Sequence, residues 1–225
     1  MKKILFVLLI PTLVLGQNIS INPKDFNSGN IELTRRVKEN RNIKGNPYLD
    51  KTYSASTILF KDGTEYNGFM RFNASKNVFE LKSESSDEIY EFILKQGITI
   101  LHLDKKFEAM MLNAENKVTT FEVLVEANPY ALYKYHKKVI KEPRKDAIAM
   151  PSSNQGDNKD AYWSDQSFLI LMYNNDIYQI EKSHKKLIKS GLVEVGVYNK
   201  IIKERKYKLD TTEDVIELIR KLNNY

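Results

Sequence analysis

Three histidines are the first residues to weigh for chemistry, and each has a plain structural reading beside a functional one. His102 lies in Ile100-Leu101-His102-Leu103-Asp104, where strand alternation aims it either at solvent or at a polar partner in the core. His136 follows Tyr133 and Tyr135 and shares a strand face with Lys134 and Lys138, which reads as a solvated face. His184 stands in a lysine run whose positive field opposes a metal cation. None has a second ligand two or four residues away, so the spacing predicts no metal site.

Other catalytic groups fare no better. The chain has no cysteine, which removes thiolate nucleophiles, disulfides, Cys-ligated metals and the cysteine of a lipobox. No G-x-S-x-G elbow occurs, and neither of the glycine-rich phosphate-binding patterns is present. Glu84 with Asp87 and Glu88 could serve glycoside hydrolysis, which needs two acids a set distance apart, but they fall in a polar turn where solvation explains them. The rings of Tyr130, Tyr133, Tyr135, Tyr162 and Trp163 would suit a carbohydrate or lipid in a barrel mouth, and equally serve as good strand formers. The residues therefore point to no enzyme and no cofactor.

Charge gives a stronger candidate. Net charge is +6, and from Lys182 to Lys208 nine Lys or Arg face only Glu194 and Glu204, a local +7. Lys185, Lys186, Lys189, Lys200, Lys203, Arg205 and Lys206 are the expected contact surface for an anionic outer-membrane component or an acidic envelope protein. The simpler alternative is that they wet the outer side of amphipathic helices.

The elements that must position these groups follow from periodicity. Lys2-Lys3, the apolar run Ile4 to Leu15 and small Gly16 read as a secretory signal peptide over residues 1–16, shorter than a bilayer span. Nucleic acid is a poor partner for an exported protein, and no later run reaches the length of a spanning helix. Residues 17–47 read as a polar leader in which only Ile31 to Val37 is apolar enough for a strand or helical turn. From Tyr48 to Glu181 short β-branched and aromatic runs alternate with turn residues: Tyr53 to Phe60, Glu65 to Asn73, Val78 to Lys82, Ile89 to Leu94, Ile98 to Leu103, Phe107 to Leu112, Val118 to Val125, Tyr130 to Ile140, Phe168 to Tyr173 and Ile177 to Ile180. Asp62-Gly63 is a strong hairpin signal, and short connections predict that sequence neighbours pair in a meander. Residues 141–160, rich in Pro, Ser, Asn and Asp, read as a mobile loop at the tip of a long hairpin.

Over residues 182–225 the period becomes helical, with Gly191 and Gly196 as interruptions and Asp210 as the expected N-cap of the last helix. The fold class predicted is α+β: an antiparallel β-meander forming a curved sheet or partly open barrel, with C-terminal helices packed on it.

Gly45-Asn46-Pro47-Tyr48-Leu49, Tyr66-x-Gly68-x-x-Arg71-x-Asn73, the lysine-rich helical stretch and the run from Glu213-Asp214-Val215 to Leu222-Asn223-Asn224-Tyr225 resemble a group of small exported proteins of Bacteroidota, of flavobacterial type. The resemblance implies an envelope setting, with the periplasm or the outer-membrane periphery as the resting place, and no mechanism. The expectation is a non-enzymatic cell-envelope protein that binds a protein or outer-membrane partner. A lipocalin-like carrier of a small apolar or carbohydrate ligand is the alternative, and a hydrolase assembled from scattered residues comes third.

Overall fold

The computed structural model describes residues 32–36, 43–83, 87–112, 117–142, 160–174 and 176–225. The expected signal and most of the expected leader, Glu84, and the centre of the expected loop lie outside them. Among the described residues thirteen strands precede three helices: β1 (Glu32–Arg35), β2 (Ser54–Phe60), β3 (Glu65–Asn73), β4 (Val78–Lys82), β5 (Ile89–Ile93), β6 (Ile98–His102), β7 (Lys105–Leu112), β8 (Lys117–Val125), β9 (Tyr130–Tyr135), β10 (Lys138–Lys141), β11 (Tyr162–Asp165), β12 (Phe168–Tyr173), β13 (Asp176–Gln179), α1 (His184–Lys189), α2 (Val195–Glu204) and α3 (Thr212–Asn223). The fold is α+β, and every ladder between these strands is antiparallel.

The sheet order is β1-β5-β4-β3-β2-β6-β7-β8-β9-β12-β13, with β10 and β11 as a separate pair. The expected meander is therefore two meanders spliced at β2 and β6, and the sheet does not close into a barrel. The splice forces curvature. Between β5 and β6 run only Leu94 to Gly97, and these are turned by a bond from the Ile98 N–H to the Lys95 carbonyl at 3.2 Å. A flat sheet would require that connector to cross four interstrand gaps, about 19 Å at ~4.8 Å each, more than the turned backbone can reach. The first half must curl, and Ile58 of β2, Met70 and Phe72 of β3, Phe79 of β4, Phe92 of β5 and Phe107 of β7 meet in one cluster. Their rings touch across the roll, Phe79 to Phe107 at 5.1 Å and Phe72 to Phe107 at 5.3 Å.

The β3-β4 turn fastens this roll to the second half. Asn77, at φ 58°, accepts from the Thr120 N–H at 2.7 Å and donates through Nδ2 to the Thr120 carbonyl at 3.0 Å. The ladder between β8 and β9 begins only at Glu122, so the Asn77 amide stands in for a strand beside Thr120.

The concave face continues into the second half, where helices cover it. Leu132, Leu169 and Leu171 pack with Leu187, Tyr198, Ile201, Val215, Leu218 and Ile219 in another core cluster. α3 lies across β8 and β9, and Asn223 locks it by accepting from the Tyr130 N–H at 2.9 Å and donating to the Tyr130 carbonyl at 2.8 Å. Its N-cap is Thr211 rather than Asp210, and no side chain caps it. Glu213 and Asp214 in the first turn complement the helix dipole instead. Gly191, at φ 74°, follows α1 as expected of a break, whereas Gly196 sits inside α2. There the Glu194 carboxylate folds over the first turn to accept from the Gly196 and Val197 N–H groups at 2.8 and 2.6 Å. A Cβ at Gly196 would approach that carboxylate to 2.9 Å. Among the described residues no helix is long and apolar enough to cross a membrane.

Candidate functional site

The residues singled out for charge all lie on the outer side of the helical layer. Lys185, Lys186 and Lys189 on α1, Lys200 and Lys203 on α2, and Arg205 and Lys206 just after it are exposed, while Leu187, Tyr198 and Ile201 face inward. Several are already engaged. Lys186 pairs with Glu181, Arg205 pairs with Asp214 and Glu217, and the Lys200 ammonium lies 4.8 Å from the Tyr225 ring centre. Lys185, Lys189 and Lys203 have no acidic partner among the described residues. His184 belongs to the scaffold beneath them: Nε2 donates to the Tyr207 carbonyl at 2.9 Å and Nδ1 accepts from the Tyr198 hydroxyl at 2.7 Å. Burial pushes the Tyr198 phenol up to about 12, so it keeps the proton it donates.

The other two histidines sit in a polar seam on the concave face, between the rolled core and the helix-covered core. His102 is fully buried and its Nδ1 lies 2.7 Å from the Ser56 hydroxyl. That hydroxyl donates its own proton to the Ser54 carbonyl at 3.0 Å, so it accepts from His102 and fixes the Nδ1–H tautomer. Nε2 faces Asp50 Oδ2 at 3.6 Å, beyond a hydrogen bond, and both atoms are buried without a partner. Burial holds the His102 imidazole below its ordinary value, with the Asp50 carboxylate pulling the other way and Lys105 adding to the depression.

Ser56, His102 and Asp50 have the composition of a hydrolytic triad and lack its working geometry. Ser56 is 5 % exposed and points its hydroxyl proton at a backbone carbonyl, so no substrate carbonyl can reach it in this conformation.

His136 overturns the expectation of a solvated face. It is buried, with Nε2 donating to Glu122 Oε2 at 2.5 Å, and Lys105 reaches the other oxygen of that carboxylate at 3.0 Å. The strand expected over Tyr130 to Ile140 breaks there, with β9 stopping at Tyr135 and β10 beginning at Lys138, and the ring in the step meets Glu122, the ladder partner of Lys134. Burial raises the Glu122 carboxyl, but the hydrogen bonds from His136 and Lys105 outweigh it and hold the group below the usual carboxylate range.

Sequence reasoning passed over the most completely buried charge. Glu80 is fully buried on the outer face of β4 and receives Arg71 Nη2 at 2.7 Å, Arg71 Nε and the Tyr53 hydroxyl each at 3.0 Å, and Asn73 Nδ2 at 3.2 Å, with Arg36 at 3.4 Å. The Arg71 guanidinium is held between the rings of Tyr48 and Tyr53, at 3.6 and 4.3 Å from their centres. Burial and then the Glu80 charge raise the Tyr53 phenol, which therefore stays a donor. Strand alternation in Val78-Phe79-Glu80-Leu81-Lys82 aims Glu80 outward and says nothing of the segment around Tyr48 that covers it.

The aromatic residues do not converge on a mouth. Tyr130 stacks on Tyr173 at 4.9 Å on the helix-covered face, whereas Tyr133 lies with Phe121 and Ile170 on the opposite one. An open groove of about 620 Å³ lies where Lys134, Asp165, Phe168 and Gln179 meet Leu209 and Asp210. Of the acids weighed for glycoside hydrolysis, Glu84 lies outside the described residues and the Glu88 carboxylate accepts from the Tyr90 hydroxyl at 2.6 Å. Among the described residues no group of three or more His, Asp or Glu is placed to hold a metal ion. No protein-family model matches the chain, and no curated protein or solved structure matches it at a significant level.

Proposed function

We propose that the chain is a non-enzymatic protein of a bacterial envelope that binds an anionic partner, either an acidic protein or an outer-membrane component, through the outer faces of α1 and α2. The observation that carries the reading is the uncompensated exposure of Lys185, Lys189 and Lys203 on helices whose inner faces are fixed by the core. Clustered, solvated ammonium groups attract anions over about a Debye length, roughly 8 Å at physiological salt. The burial of Ser56, His102 and His136 supports a structural role for the groups that hydrolysis would need at the surface.

The test is co-sedimentation of the protein with vesicles containing phosphatidylglycerol or lipopolysaccharide, and pull-down from envelope extracts, beside the variant carrying Lys185→Glu, Lys189→Glu and Lys203→Glu. Binding that the variant loses, and that salt weakens, is the expected result. Equal recovery of the same partners by both proteins refutes the contact surface. Export is tested separately by fusing residues 1–20 to a reporter, with retention in the cytoplasm as the contrary result. Carriage of a small carbohydrate is the second reading, favoured by the groove beside Lys134, Asp165 and Phe168, where a ring and paired polar groups suit a sugar. Saturable sugar binding abolished by Phe168→Ala would support it.

A further inference from the structure

We infer that Asp50 and His102 form an acid-operated clasp, in which proton uptake at His102 Nε2 draws the Asp50 carboxylate into a hydrogen bond and fastens the segment Tyr48 to Tyr53 onto β6. The argument starts from the tautomer. Ser56 can only accept from His102, because its single proton goes to Ser54. With the ring neutral, a bare nitrogen lone pair and a carboxylate oxygen face each other at 3.6 Å, both shut off from water. Two desolvated acceptors opposite one another are unfavourable, and one proton placed between them turns the contact into a charge-assisted bond. Closing to such a bond takes a shift of about 0.7 Å, within reach of a side chain that is one-third exposed.

The surroundings limit what else can enter. From β7, Lys105 presents its ammonium to the same region, with Glu122 of β8 paired to it from behind. Phe79 of β4 and Phe107 of β7 close the ring in with uncharged faces, at 5.7 and 6.5 Å. A divalent metal would meet the same two atoms, but it would do so beside the Lys105 ammonium and with no third ligand among the described residues. A proton needs neither. Because the folded ring holds its proton less tightly than the ordinary value of about 6.5, the clasp closes below that pH. Between the two values the unfolded chain carries more protons, so stability falls with falling pH there and levels off once the folded ring is charged.

The experiment is an NMR titration of the full chain from pH 8 to 4, following the His102 ring and the backbone amides of residues 48–53. Expected is a His102 midpoint below 6.5 that the amides of Asp50 and its neighbours share, and a midpoint about one unit lower in Asp50→Asn, from loss of the nearby opposite charge. Amides that stay still while His102 titrates overturn the clasp, as does a midpoint that Asp50→Asn leaves unchanged. Retention of one equivalent of zinc at neutral pH, abolished by Asp50→Asn, overturns it in favour of a metal site. The wild-type amide response is decisive by itself if the variant fails to fold.

Discussion

Replacing Asn77 tests whether one turn residue holds the two halves of the sheet together. Asn77→Ala removes both amide bonds to Thr120, and that backbone N–H has no strand partner on the same side to fall back on. Leaving a largely buried donor unsatisfied costs about 1–3 kcal/mol. The position also has φ 58°, and an alanine forced into that left-handed conformation adds about 1–2 kcal/mol. Together the loss is about 2–5 kcal/mol. Asn77→Gly forfeits the same bonds without the backbone strain, so the gap between the two variants isolates the conformational part at about 1 kcal/mol. Urea unfolding at neutral pH reads both midpoints. Should either variant unfold within about 0.5 kcal/mol of the wild type, the range of an ordinary surface change, the amide is not the fastener described.

Leu103 is the first of two residues joining β6 to β7, sits at φ 57° and is half exposed. Leu103→Asn is expected to stabilise the protein by about 0.5–1 kcal/mol, because asparagine tolerates the left-handed region, and thermal unfolding will show it as a higher midpoint. Arg71→Met strips the buried Glu80 carboxylate of its two-pronged partner at a cost of about 3–5 kcal/mol, while adding Glu80→Leu recovers most of it. A double-mutant cycle showing simple additivity would contradict that. The depressed Glu122 carboxyl contributes stability that is present above its ordinary value of about 4.3 and lost as pH falls toward the folded one. The difference in unfolding free energy between wild type and Glu122→Gln therefore narrows below pH 4.5, and a constant difference would count against the assignment.

Strand positions were legible because alternation and turn residues are local signals. Glu65–Asn73, Val78–Lys82 and Phe168–Tyr173 form as their patterns indicate. The splice between β2 and β6 was not legible, since nothing in Leu94 to Gly97 says that the next strand returns to the far edge of the first four. β11 was missed for a related reason: Tyr162 to Asp165 is too short to alternate convincingly and pairs with the stretch after the break at His136 and, through one parallel bridge, with Lys44. The seam is only half legible, because alternation leaves His102 open between solvent and a polar core partner and reads His136 onto a solvated face. Ser56, His102 and Glu122 point inward, where each makes a side-chain hydrogen bond. The lysines of α1 and α2 were readable because helical spacing alone separates them from Leu187, Tyr198 and Ile201.

The pair of bonds between Asn223 and Tyr130 joins residues 93 positions apart, and α3 follows every strand in the sequence. Until that stretch has been synthesised, Leu132, Leu171 and their neighbours form a greasy sheet surface with no lid. A chain cut short after Leu209 would retain β1 to β13 and still offer that surface to other molecules. Such products should self-associate or fall to proteases, which makes the final helix the step at which an emerging polypeptide becomes safe to release.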